Sequence, residues 1–284
     1  TGDGISRLAA AIDWEPGDTI VYSDLEHPAG VLPWERAADV FDLNVSVLET
    51  REGRVDMDAV TEVVADARVL CVSSLSWNYG TRIPIGDVVE IAHEAGTRVV
   101  VDAVQSPGQH PIDVREWGAD AIAAAGHKWL LGLWGGGFLS VSSDFAAELE
   151  PRRISYRGVT EPNADTYECY SGARQLGIGT NSLAPHAALA TAMDTFDEIG
   201  LDTVQAHVER LTDRLKDGLG DRLLSPREYE SGLVTFAADD PDGLVERLRD
   251  EGIVIRSLPE PAAVRASVHV FNTADDIDRL LAAL

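Results

Sequence analysis

Apolar positions along this chain follow two rhythms. Through the first two-thirds, short apolar runs at 19–23, 44–48, 69–73, 98–102, 119–123 and 137–141 alternate with segments whose apolar residues recur every three or four positions, at 31–40, 56–65 and 85–95. Short continuous runs read as buried strands, and the helical recurrence reads as helices packed against them. The alternation predicts βαβ units: an α/β fold with a mostly parallel sheet and helices on both faces. A long helical pair follows at 185–199 and 201–219. Then the rhythm changes to strand-like 232–237, a helix near 241–251, strand-like 253–257 and 265–271, and a terminal helix from 274. That change predicts a large domain over 1–195 and a small C-terminal α+β domain over 196–284.

Charge narrows the partners. With 23 basic and 48 acidic residues the formal net charge is −25. Such a chain is repelled by nucleic acid and by anionic membranes. The acidic residues are scattered, as on a solvated surface, and their excess suggests a protein of a high-salt interior. No apolar run is long enough to cross a bilayer. Asp3 and Arg7 interrupt any leader-like stretch at the start. The expectation is a soluble cytoplasmic protein. Cys71 and Cys169 make neither a disulfide framework nor a zinc site. His93, His110, His186, His207 and His269 lack metal-ligand spacing and read as surface or core residues.

Lysine is scarce, and that points to chemistry. Lys128 and Lys216 are the only two, and Lys216 sits on the polar side of a helical pattern, where it reads as solvated. Lys128 lies amid small and apolar residues in Ala124-Ala125-Gly126-His127-Lys128-Trp129-Leu130. A lysine desolvated there has a lowered pKa and a nucleophilic amine. Val99-Val100-Val101-Asp102 ends a buried strand in a carboxylate, at the edge where open parallel sheets bind ligands. Asp102 would either cap the following turn or act on a ligand. A nucleotide hydrolase is excluded, because no G-x-x-x-x-G-K-[ST] loop exists. Gln105 follows Asp102 by three residues, and Thr1-Gly2-Asp3-Gly4 opens directly into a helix whose free N–H groups suit an anion. Amine, carboxylate, hydrogen-bond donor and anion cradle are what pyridoxal 5'-phosphate (PLP) requires.

The run Val101-Asp102-Ala103-Val104-Gln105, Ala119-Asp120 and Gly126-His127-Lys128 resembles the class V aminotransferases, fold-type I PLP enzymes that include cysteine desulfurases and isopenicillin-N epimerase-like proteins. Ser23-Asp24-Leu25-Glu26-His27 with Pro33-Trp34, Gly177-Ile178-Gly179-Thr180, and Val264-Arg265 through Phe271-Asn272-Thr273 extend the resemblance almost over the full length. It implies Lys128 as the Schiff-base lysine, Asp102 as partner of the pyridine nitrogen, and His27 stacked on the ring. It further implies Gln105 at the phenolic oxygen, with Thr1, Gly2 and His127 at the phosphate. Asn78 would touch the cofactor, Arg265 would clamp the substrate carboxylate, and Thr180 would reach the phosphate of a neighbouring subunit in a homodimer. The family pattern would begin one segment before Thr1.

Three departures stand out. Ala125 replaces the usual phosphate-binding Ser, and Trp77 takes the place of an Asn, with Asn78 beside it. The segment between Arg256 and Arg265 has no Cys, which argues against a persulfide-forming desulfurase. The first expectation is an aminotransferase acting on a small amino acid and a keto acid. Its alternatives are a lyase or epimerase with the same cofactor, and a PLP-binding protein without catalysis. The acidic surface gives a test. Resistance to unfolding should rise between dilute buffer and multimolar KCl, and a salt-independent melting temperature would contradict the high-salt reading.

Overall fold

A computed structural model describes residues 1–284. The strand runs of the first two-thirds form one six-stranded sheet from β1 (Thr19–Ser23), β2 (Asn44–Leu48), β3 (Val69–Ser73), β4 (Arg98–Asp102), β5 (Ala121–Ala125) and β6 (Gly137–Val141). The order is β2-β1-β3-β4-β5-β6. All neighbours pair parallel except β5 and β6, which pair antiparallel. Strand periodicity then sorts the core. Ile20, Cys71, Val100, Ala121 and Ala123 face α1 (Gly2–Ala9) and α2 (Pro28–Phe41), while Val21, Leu70, Val72, Val99, Val101 and Ile122 face α3 (Met57–Val64) and α4 (Ile85–Glu94). Each face is covered, as uninterrupted apolar strands require. Two short helices, α5 (Val114–Trp117) and α6 (Ser143–Ala147), flank β5 and β6.

A third core gathers α7 (Ala184–Ile199), α8 (Leu201–Leu219), α9 (Pro241–Asp250) and α10 (Ala274–Ala283) around a second sheet. That sheet is antiparallel, with β7 (Leu233–Phe236), β8 (Arg256–Leu258) and β9 (Ala263–Ser267) in the order β7-β9-β8. Leu130, two residues past Lys128, and Leu189 belong to this third core. Leu75, Trp129 and Leu233 form a small cluster between the sheets.

Several boundaries differ from the sequence expectation for local reasons. β5 begins at Ala121 rather than 119, because the Asp120 carboxylate accepts bonds from the Val99 N–H at 2.8 Å and from Arg98 at 2.7 Å. α2 begins at Pro28 rather than 31, with His27 as its N-cap and proline in the first turn. β8 and β9 are shorter than 253–257 and 265–271, joined by a turn holding Pro259 and Pro261. The reading of Lys216 as solvated is wrong. It is 2% exposed, and its Nζ donates to the Glu228 carbonyl at 2.7 Å. The chain after α8 folds back over the polar side of that helix, which helical periodicity cannot reveal.

Gly232 shows how tightly the two sheets meet. Its N–H donates to Gln109 Oε1 at 2.7 Å, and a Cβ placed on it would lie 2.3 Å from the Val268 carbonyl and 3.1 Å from the Trp129 ring. Gly232→Ala should therefore lower stability by about 1–3 kcal/mol, the usual cost of overpacking. Urea unfolding midpoints measure this, and an unchanged midpoint would show that the seam yields freely.

Candidate active site

Four neighbouring strands deliver the expected residues to one edge. His27 follows β1, Trp77 follows β3, Asp102 ends β4 with Gln105 one turn later, and Lys128 follows β5. These are the carboxyl ends of parallel strands, beside the point where the sheet order reverses. The C-terminal sheet closes the opposite wall. His27, Trp77, Gln105, Lys128, Arg256 and Arg265 line one cavity of about 320 Å³.

Each side chain there is held by a specific bond. His27 Nδ1 accepts from the Ala29 N–H at 3.1 Å, and its ring meets Trp77 edge-on with centroids 5.2 Å apart. Its pKa is lowered by burial and by the charges of Lys128, Arg256 and Arg265. The Trp129 indole N–H donates to Gln105 Oε1 at 2.8 Å. That bond fixes the amide so that its NH₂ remains a free donor in the cavity wall. Lys128 has its pKa lowered by burial, against the attraction of Asp102 and with help from Arg265 and Arg256. Arg265 donates to the Trp77 carbonyl, and its Nε is buried with no partner.

Asp102 is 2% exposed, with Oδ1 accepting from the Val104 N–H at 2.9 Å. Burial raises its pKa, opposed by the bond from Val104 and by the charge of Lys128. Behind it lies a second buried carboxylate. Glu26 Oε1 accepts from Ser23 Oγ at 2.7 Å and from the Ser73 N–H at 2.7 Å, and Oε2 accepts from Ser73 Oγ at 2.6 Å. Burial, reinforced by Asp102, pushes Glu26 up to about 7 against these bonds.

The remaining expected residues separate. Thr1, Ala125 and His127 line a larger cavity of about 700 Å³, where His127 stacks on Trp134 with centroids 4.2 Å apart. Thr1 Oγ1 is buried there without a partner, and Ala125 offers no hydroxyl. Gly2 is the first residue of α1. Asn78 is turned elsewhere: its amide donates to the Glu260 carbonyl at 3.3 Å and accepts from the Tyr79 N–H at 3.1 Å. Thr180 is exposed, bonded to Tyr156, and outside the Lys128 cavity.

Sequence reading missed Trp77, Arg256 and His269 as lining residues. His269 stacks between Trp129, at 5.0 Å, and Phe271, at 4.7 Å, and burial lowers its pKa to about 4. Its signal was present. Arg265, Ser267, His269 and Phe271 alternate along the chain, and all four line the cavity. Cys71 lies in the core and Cys169 on a distant loop, so neither reaches the cavity.

The donor set suits PLP. Lys128 offers an amine, Asp102 a buried carboxylate, Gln105 a free donor, and Thr1 an orphaned hydroxyl at a helix start. The family model of class-V aminotransferases matches residues 1–280. The chain belongs to that family. A C-DES mutant whose structure carries glycine covalently linked to a PLP cofactor superposes with a TM-score of 0.91 at 23% identity, over 99% of this chain and 77% of that one. Among relatives of this class V protein, a probable cysteine desulfurase of Halobacterium salinarum is 32% identical, over 95% of this chain and 69% of that one. The isopenicillin N epimerase of Streptomyces clavuligerus is 30% identical, over 99% and 76%. The apo structure of a cysteine desulfurase from Thermococcus onnurineus NA1 superposes with a TM-score of 0.91 at 26% identity, over 99% and 76%. No helix of this chain is long and apolar enough to cross a membrane.

The Glu26–Asp102 pair has a pH signature. Folded Glu26 keeps its proton up to about 7, whereas the unfolded chain releases it at the ordinary carboxyl value. Between those points unfolding releases a proton, so stability falls as pH rises. Glu26→Gln should remove that fall: relative to the variant, the wild type loses stability between pH 5 and pH 8. Parallel pH profiles in urea unfolding would show that Glu26 is already ionised.

Proposed function

We propose that this class V enzyme is a PLP-dependent lyase that cleaves the bond from Cβ to sulfur in a small cysteine-like amino acid. The observation that carries this reading is the placement of Lys128 and Arg265 on one cavity of about 320 Å³. One side chain suits the cofactor, and the other suits an amino acid's carboxylate. The names of the relatives favour carbon–sulfur lysis over the amino transfer expected from sequence. No thiol of this chain stands ready to take the sulfur, so the product would leave free rather than as a protein persulfide.

PLP, when bound, supplies an electron sink for the pair left at Cα. The chain's own residues do the rest. Asp102 would hold a proton on the ring nitrogen, and its burial keeps water from competing for that contact. Gln105 would donate its amide N–H to the phenolic oxygen, and His27 would cover one ring face. Thr1 and His127 would hold the phosphate. Arg265 would fix the substrate carboxylate and so the direction of the Cα–H bond. Lys128, whose desolvated amine is neutral more readily than an exposed lysine, would take the Cα proton at Nζ. Thr180, exposed and outside this cavity, is free to serve a second subunit in a homodimer.

The test pairs a spectrum with products. Protein purified with PLP should show a visible cofactor band that Lys128→Ala abolishes, together with turnover. Wild type given cysteine should release sulfide. Amino transfer to an added keto acid, without sulfide, would overturn the lyase reading, and turnover surviving in Lys128→Ala would overturn the assignment of Lys128.

A further inference from the structure

A stack of three rings runs from the interior of the Lys128 cavity to its mouth. Trp129, anchored through its indole N–H to Gln105, lies nearly parallel to His269 at 5.0 Å and 11°. His269 in turn lies nearly parallel to Phe271 at 4.7 Å and 12°. Exposure rises along the stack, from 4% at Trp129 and 8% at His269 to 66% at Phe271. The last ring is covered on one side by His269 and open on the other. The middle ring is uncharged: its Nδ1 accepts the Val270 N–H at 2.7 Å, and burial lowers its pKa to about 4. Leu131 adds to the same rim. It is exposed, lines the cavity, and closes a turn on Lys128, its N–H donating to the Lys128 carbonyl at 3.1 Å. Its φ is +56°, a left-handed conformation that a leucine adopts only at a cost. Such strain collects at ligand sites, where the surroundings impose it. Trp77 and Leu233 complete the apolar lining.

We infer that the substrate is a cysteine whose sulfur carries a flat, apolar substituent, seated at the cavity mouth on Phe271 and Leu131. This rests on the lyase reading above and names the substrate class for it. The thiol of free cysteine offers little apolar area to this wall. An aryl group on sulfur extends outward from Cβ and has a face to stack on the open side of Phe271. The chemistry balances without an acceptor in the protein. Lys128 Nζ takes the Cα proton, the electron pair forms a double bond from Cα to Cβ, and the Cβ–S bond breaks. The sulfur leaves with the bonding pair and takes up one proton as a thiol. One water hydrolyses the three-carbon remainder to pyruvate and ammonium, and no oxidant or reductant is consumed. The cavity contains no Cys to intercept the sulfur.

The experiment uses the PLP-loaded protein and two analogues in which carbon replaces sulfur, homophenylalanine and norvaline, with binding read by calorimetry. Homophenylalanine should bind at least about tenfold more tightly than norvaline, the effect of burying one ring. Phe271→Ala should cut that ratio severalfold. Leu131→Gly should also cut it without lowering the melting temperature, because glycine accepts the left-handed backbone there. Equal affinity for the two in wild type, including no measurable binding of either, overturns the inference. So does a ratio that neither substitution moves. Thermal melts of both variants separate loss of binding from loss of fold. Neither analogue has a carbon–sulfur bond, so the ratio is read independently of cleavage. Sulfide from cysteine and thiophenol from S-phenylcysteine are scored separately. A ring preference with release of neither upholds the ring subsite and overturns the lyase reading, whereas sulfide release with equal affinities overturns the ring subsite alone.

Discussion

The geometry of this site depends on a polar seam between the two sheets. The segment after β3 presents its backbone carbonyls to the C-terminal sheet, which answers with side-chain donors. Ser225 Oγ donates to the Tyr79 carbonyl at 2.5 Å and Ser231 Oγ to the Gly80 carbonyl at 2.7 Å. Thr235 donates to the Asn78 carbonyl and Arg265 to the Trp77 carbonyl. Across the seam the Gly232 N–H returns a bond to Gln109 Oε1. These carbonyls are buried and must be paired, so they fix the second sheet on the first. Arg265 is part of that seam and also of the cavity. The placement of Arg265 across the cavity from Lys128 is therefore held by a side-chain bond to the Trp77 carbonyl and by the strand pairing of β9.

What the sequence revealed and what it hid follow from the range of each interaction. β1 to β4 and β6 were legible residue for residue, because their continuous apolar runs are buried on both faces or end in glycine and polar breaks. β5 was displaced by two residues, since a run of alanines has no periodicity and Asp120 is held out of the strand by tertiary bonds. That Lys128, Asp102, His27 and Gln105 gather at one sheet edge was legible because each ends or follows a buried strand. Lys216, Asn78 and Arg256 were not, because their roles depend on segments far away in the chain: the Glu228 turn, the Glu260 loop and the β8–β9 register. Thr180 is the reverse case, a residue marked by a motif that this chain alone does not bring to the cavity.

Electrostatics divides the molecule into two regions. The surface carries the negative charge, and much of it faces water at high dielectric, where its cost is small and salt-screened. The cavity carries positive charge where desolvation lowers the pKa of Lys128 and lowers Arg265 to about 10. Between them stand Glu26 and Asp102, both buried, each with its pKa raised chiefly by burial, and Asp102 raises that of Glu26 further. A second carboxylate behind Asp102 resists full ionisation of the pair. Glu26 is held by three hydroxyl and amide donors of its own, from Ser23 and Ser73.

The hairpin of β8 and β9 joins these features to chemistry. The turn at 259–262 holds two prolines and no thiol, and the strand pairing brings Arg256 opposite Arg265. Neither arginine has an ion-pair partner within the chain, so both charges must be met by hydrogen bonds, by the Trp77 ring or by solvent.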